Sequence, residues 1–186
     1  WELDTSTGPY TARFIIVATG PMHEPVMPAL PGLESFTGER FHSAAWDDAV
    51  DLRGKRVAVI GTGASAIQFV PAIQPLAASL TVFQRSAPWV LPKLDARITP
   101  RWQQRFARFP VLQSALRGLL SVQFELLNGS LKRPRARRRL QGSALRNIHR
   151  SVRDPLLRAR LTPDFDIGCK RILQSNSWYP ALAQAN

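Results

Sequence analysis

Apolar residues follow two rhythms along this chain. In the first half they gather in short, β-branched runs; in the second they recur every three or four positions. Residues 11–17 end in Phe14-Ile15-Ile16-Val17 and run into Ala18-Thr19-Gly20, which predicts a buried strand closed by a tight turn. Prolines at 21, 25, 28 and 31 then predict an extended connector. Residues 55–60 carry the run Val57-Ala58-Val59-Ile60 between Gly54 and Gly61, the pattern of a strand in a parallel sheet. Residues 64–70 open a helix. Pro71 and Pro75 are expected to interrupt it, because proline removes a backbone donor and clashes with the preceding turn, leaving a short or kinked helix. Residues 80–84 form a second strand. Strand, glycine turn, helix and strand make a βαβ unit of about 30 residues.

Beyond Pro92 the rhythm changes. Leu112, Leu116, Leu119, Leu120, Phe124 and Leu127 fall at helical spacing and predict a helix with one apolar face to dock. The basic run Lys132-Arg133-Pro134-Arg135-Ala136-Arg137-Arg138-Arg139 follows, then a second arginine-rich, helical stretch to Arg160. Residues 166–173 return to strand-like composition. There is no internal repeat.

The chain has 186 residues, 45% of them hydrophobic and 20% charged, which is ordinary for a globular protein of one domain or pieces of two. No uninterrupted apolar run approaches the ~20 residues of a membrane helix. The start, Trp1-Glu2-Leu3-Asp4, has neither the basic nor the apolar region of a signal peptide, and it lacks an initiator Met. The single Cys169 excludes an intramolecular disulfide and fits a reducing cytoplasm. A net charge of +12 invites a nucleic-acid reading, but the surplus is local. Residues 101–160 hold 15 Lys and Arg against 2 acids, or +13, and the remainder holds 10 against 11, or −1.

The chemistry sits outside that basic segment. Gly61-Thr62-Gly63-Ala64-Ser65-Ala66 follows the first strand of the βαβ unit and reads as a G-x-G-x-x-A dinucleotide fingerprint. Gly61 permits the sharp turn, Gly63 lets the backbone approach a pyrophosphate, and Ala66 keeps helix and strand close. The phosphates would lie over free N–H groups at the helix start. Candidate cofactor contacts are therefore Gly61, Thr62, Gly63, Ala64, Ser65, Ala66 and Gln68. A glycine-rich turn without a ligand is the plain alternative. After the second strand come Arg85 and Ser86, with no acid anywhere from 57 to 93. An arginine there suits a ribose 2′-phosphate, whereas NAD-specific folds place a carboxylate for the 2′-OH. The reading is NADPH over NADH, against a merely solvated arginine.

Upstream, Phe36, Gly38, His42, Trp46 and Asp47 fit F-x-G-x-x-x-H-x-x-x-W-[PD]. This pattern resembles the signature of Baeyer–Villiger monooxygenases, flavoproteins that insert oxygen beside a ketone carbonyl. The resemblance implies an α/β fold: a Rossmann-like nicotinamide-binding domain with a helical insertion, plus the end of a flavin-binding domain. The expected divisions are 1–20 from the FAD domain, 21–53 a linker bearing the signature, 54–94 the NADP-binding unit, 95–165 the insertion, and 166–186 the return. It implies FAD and NADP as cofactors and a small ketone with O2 as substrates. Thr19 and Gly20 would belong to a second flavin-side motif. His42 would couple domain motion rather than act as a base, and Trp46 is open to a packing role. In Gly168-Cys169-Lys170-Arg171, Lys170 would reach the NADP phosphate. Arg171 would be the catalytic cation, stabilising negative charge that develops near the flavin. A surface basic pair is the alternative there, and Cys169 is expected to be a small packed residue.

The flavin fingerprint G-x-G-x-x-G of the family does not occur, since Gly61-Thr62-Gly63 is the only G-x-G. The expectation is therefore an internal piece of a longer protein, inactive by itself. Its rivals are an N- or S-oxygenating flavin monooxygenase, a non-catalytic NADP-binding module and a basic nucleic-acid-binding protein. Residues 132–139 lack the interleaved aromatics of single-strand binders and read instead as the solvated face of the insertion.

Overall fold

The β-hairpin at the start of the chain shows how little tertiary support its first part has. In this computed structural model, which describes residues 1–20, 24–93, 95 and 97–186, β1 (Glu2–Thr5) pairs antiparallel with β2 (Gly8–Thr11). The Thr5 hydroxyl holds the turn by donating to Gly8 O at 2.7 Å and accepting from Thr7 N at 3.2 Å. Residues 1–50 form one unit and 51–186 a second. None of the described residues in the first unit is buried. Its remaining regular element is a 3-10 turn, Leu33–Ser35.

The strand expected over residues 11–17 is corrected here. Only Thr11 is in a strand, and Phe14 and Ile16 are 80% and 93% exposed. The run has strand propensity, but a strand needs a neighbour, and no described segment pairs with it. Pro21, at the head of the expected connector, lies outside the described residues, as does Leu94. Residues 25–30 carry no helix or strand, as the prolines predict.

The second unit contains the core. β3 (Arg56–Ile60) and β4 (Ser79–Phe83) pair in parallel, Arg56 opposite Ser79 and Ile60 opposite Phe83, with α1 (Ala66–Ile73) as the crossover. The helix buries Ala66, Ile67, Val70 and Ile73, a spacing that keeps one stripe against the sheet. Pro71 does not end it. The helix continues through Pro71 to Ile73 and stops before Pro75. Proline in the sixth of eight positions leaves only the Ile67 carbonyl without its donor, and burial of Val70 and Ile73 offsets that loss.

A second parallel pair, β5 (Val90–Leu91) with β6 (Leu173–Gln174), joins the two ends of the helical segment. Asn176 fastens the same ends, accepting from Lys93 N at 2.9 Å and donating to Lys93 O at 2.8 Å. The strand expected over 166–173 is thus confined to its last residue and the one beyond. Between the ends lie α2 (Pro100–Arg108), α3 (Pro110–Leu131), α4 (Pro134–Ser151) and α5 (Pro155–Leu161). α6 (Trp178–Leu182) packs on α1. The core joins α1 and β5 to Ile148 of α4, Val152 just beyond it, Leu161, Leu173, Trp178 and Tyr179. A smaller cluster unites Trp89, Leu91, Ala144 and Ile167.

α3 departs from expectation in one respect. It is a helix, but its apolar face docks only at the C-terminal end, where Leu127 packs against the Trp89 cluster. Leu119 and Phe124 are 65% and 52% exposed, and no residue of α3 is buried. The basic run does lie on a solvated surface, where Arg133, Arg135, Arg138 and Arg139 are exposed. No described helix is long and apolar enough to cross a membrane.

Candidate functional site: a strand-end nucleotide cradle

The fingerprint occupies the sharp turn between β3 and α1. Gly61 has φ +107°, a conformation that side chains disfavour, and its N–H donates to Phe83 O at 2.9 Å, tying the turn to the end of β4. A Cβ at Gly61 or Gly63 would meet nothing within 4 Å, so the space over both glycines is open. The backbone N–H groups of Thr62, Gly63, Ala64, Ser65 and Ala66 donate no hydrogen bond among the described residues. Ser65 caps α1 without a side-chain bond. Five consecutive donors at a helix start, facing a space without side chains, fit an anionic phosphate group. Gln68 is exposed and donates to Ala64 O at 2.7 Å, which braces the first turn.

At the end of β4 the chain presents Arg85, exposed, and Ser86. Lys170, far along the chain, meets Ser86, its Nζ donating to Ser86 Oγ at 2.6 Å. The structure therefore assembles three sequence-predicted cofactor residues at the strand end that follows the fingerprint. Lys170 also lies over the Phe165 ring, 4.3 Å from its centroid. Phe165 is fixed through its carbonyl, which accepts from Trp89 Nε1 at 2.7 Å. The sequence does not single out Phe165 or Trp89; the fold brings Phe165 under the lysine and Trp89 behind it.

The loop bearing Lys170 has further supports. Arg137 of α4 reaches Asp166 at 3.5 Å, and Gly168, with φ +100°, packs against Leu131. Arg171 is exposed and makes no hydrogen bond or ion pair among the described residues. Cys169 is exposed, not packed as expected, because the turn at Gly168 lifts it off the buried Ile167.

The remaining candidates lie in the first unit. His42 is half-buried. Its Nδ1 accepts from Ala44 N at 3.0 Å, which leaves Nε2 to carry the proton of the neutral ring. Phe36 lies over Gly38, where a Cβ would come within 2.6 Å of the ring. Asp47 accepts from Ala49 N at 3.0 Å in a local turn. Trp46 is on the surface rather than in a core, edge-on to Phe41 at 5.0 Å. Thr19 and Gly20 are exposed in irregular backbone.

Among the described residues no cluster of His, Cys, Asp and Glu could hold a metal ion. One titration stands apart from the site: burial pushes the Tyr179 phenol well above its ordinary range, and the nearby Val90 backbone offsets a part. Its Oη reaches no partner in hydrogen-bonding geometry among the described residues.

Residues 1–118 match the family model for pyridine nucleotide-disulphide oxidoreductases. A Baeyer–Villiger monooxygenase of Pseudomonas aeruginosa is 50% identical over the whole of this chain, and one of Streptomyces coelicolor is 47% identical over the whole of it. The chain spans 36% of the length of each. Among solved structures, an oxidised steroid monooxygenase bound to NADP superposes on all of this chain and 42% of its own, with a TM-score of 0.78 at 30% identity.

Proposed function

The chain belongs to the pyridine nucleotide-disulphide oxidoreductase family, and on that premise we propose that it supplies the NADPH-binding part of a flavin monooxygenase that oxidises ketones to esters or lactones. The observation that carries this reading is Lys170 at 2.6 Å from Ser86, beside Arg85, at the end of the strand after the fingerprint. Two cations and a hydroxyl at that point fit a 2′-phosphate, and the absence of an acid from residue 57 to residue 93 removes the repulsion that phosphate would meet. The pyrophosphate would lie on the N–H groups of residues 62–66. Sequence identity near one half to Baeyer–Villiger monooxygenases supports the ketone as substrate class.

When bound, NADPH supplies a hydride and FAD the oxygen chemistry. The protein's own residues bind and orient. Arg85, Ser86 and Lys170 select the phosphorylated nucleotide. Arg171, permanently cationic, would supply positive charge to stabilise negative charge that develops when the flavin is bound. His42, with its ring set by Ala44, links the signature segment to the movement between nucleotide and flavin. Thr19 and Gly20 lie on the flavin side. The sequence holds one dinucleotide fingerprint, which this reading assigns to NADPH, so no fingerprint here accounts for the flavin. The single cysteine agrees with a cytoplasmic location.

Calorimetric titration with NADPH and NADH tests the reading. NADPH is expected to bind at least tenfold more tightly, and Arg85→Ala to weaken NADPH by about tenfold while leaving NADH unchanged. Equal affinities for the two nucleotides would overturn the assignment.

A further inference from the structure

We infer that Phe165 is a specificity-determining positioning residue, an aromatic floor that holds Lys170 in place for the 2′-phosphate; this rests on the NADPH reading above. Lysine is a poor specificity element by itself. Its four-carbon stem samples many rotamers, and ordering it on binding costs conformational entropy. Here the ammonium group is already placed. Ser86 Oγ accepts from it on one side, and the Phe165 ring lies beneath it at 4.3 Å. A ring face attracts a cation without neutralising it, so Lys170 keeps its charge for a phosphate. A carboxylate in the same position would hold the lysine as well and cancel the field.

The floor is itself anchored. The Phe165 carbonyl accepts from Trp89 Nε1, and Trp89 is 3% exposed in the cluster with Leu91, Ala144 and Ile167, against which Phe165 packs. Trp89 directly precedes β5, three residues after Ser86. One short segment thus carries the hydroxyl that meets Lys170 and the indole that anchors the ring beneath it. Arg85 has no such support and supplies charge alone.

The test is binding, in the protein at its natural length, of NADPH and NADH to Phe165→Leu, Phe165→Tyr and Lys170→Ala. Loss of the ring face is expected to weaken NADPH roughly three- to tenfold, to leave NADH within twofold, and to be reversed in Phe165→Tyr. Phe165→Met replaces the leucine variant if the latter does not fold. Equal weakening of both nucleotides would show Phe165 to be structural only and overturn the inference. Unchanged NADPH binding in Phe165→Leu, with selective loss in Lys170→Ala, would overturn it while sparing the NADPH reading. Insensitivity of both nucleotides to Lys170→Ala would remove the reading and the inference together.

Discussion

Single residues separate what the turn needs for folding from what it offers a ligand. Gly61 needs its positive φ, whereas Gly63 has ordinary backbone, and both face open space. Gly61→Ala should therefore cost about 1–2 kcal/mol of stability through backbone strain, seen as a lower urea midpoint. Gly63→Ala should leave the midpoint unchanged and weaken NADPH, because its methyl enters the space kept for phosphate. Tyr179 makes the opposite point. Its buried Oη has no partner in hydrogen-bonding geometry among the described residues, so Tyr179→Phe should hold stability or raise it by about 1 kcal/mol. The pH dependence has a definite sign. The folded-state pKa is raised by burial, so below the unfolded value of about 10 both states keep the proton and stability does not change with pH through this group. Above it the unfolded chain ionises while the folded chain does not, and stability falls by about 1.4 kcal/mol per pH unit. Denaturation between pH 9 and 11 should show that fall in the parent and a smaller one in Tyr179→Phe.

Elements were legible in the sequence where their own pattern sufficed. β3, β4 and α3 follow from β-branched runs and a 3.6-residue period, because each needs only local spacing to be recognised. Phe14-Ile15-Ile16-Val17 misleads for the complementary reason: a strand is a relation between two segments, and one run cannot report its partner. A signal that was present concerns helix starts. α2, α3, α4 and α5 each begin with a proline, at 100, 110, 134 and 155, where its missing N–H is not needed and its fixed φ suits the first turn. Before Pro155 stands Asp154, whose carboxylate accepts from Leu156 N at 3.0 Å and Leu157 N at 3.1 Å. Asp154→Ala should cost about 1 kcal/mol, measured by thermal unfolding, with α5 affected and α1 untouched. Of the candidate site, the glycine turn, Arg85, Ser86 and Lys170 could be named from the sequence, and the fold brings Ser86 and Lys170 together. Phe165 could not, since nothing in its own neighbourhood indicates that Lys170 will lie over it.

At the scale of the molecule, charge and chemistry occupy different regions. The +13 of residues 101–160 lies on the helical segment, while the proposed nucleotide site sits at strand ends outside it. Replacing Arg133, Arg135 and Arg139 together with Gln should therefore leave NADPH affinity within twofold, while lowering retention on a cation exchanger. A loss of NADPH affinity there would mean that the basic surface attracts the nucleotide at a distance. The pairing of Ser86 with Lys170 also sets an order in time. The glycine turn, its strand and its helix are neighbours in the chain and close a short loop, but Ser86 and Lys170 lie 84 residues apart. Closing the longer loop costs more entropy and waits on helices that fold between. On a ribosome the turn emerges first and can form while residue 170 has not yet been made. On the proposed reading, the turn that would hold a dinucleotide thus forms before the pair that would tell one dinucleotide from another.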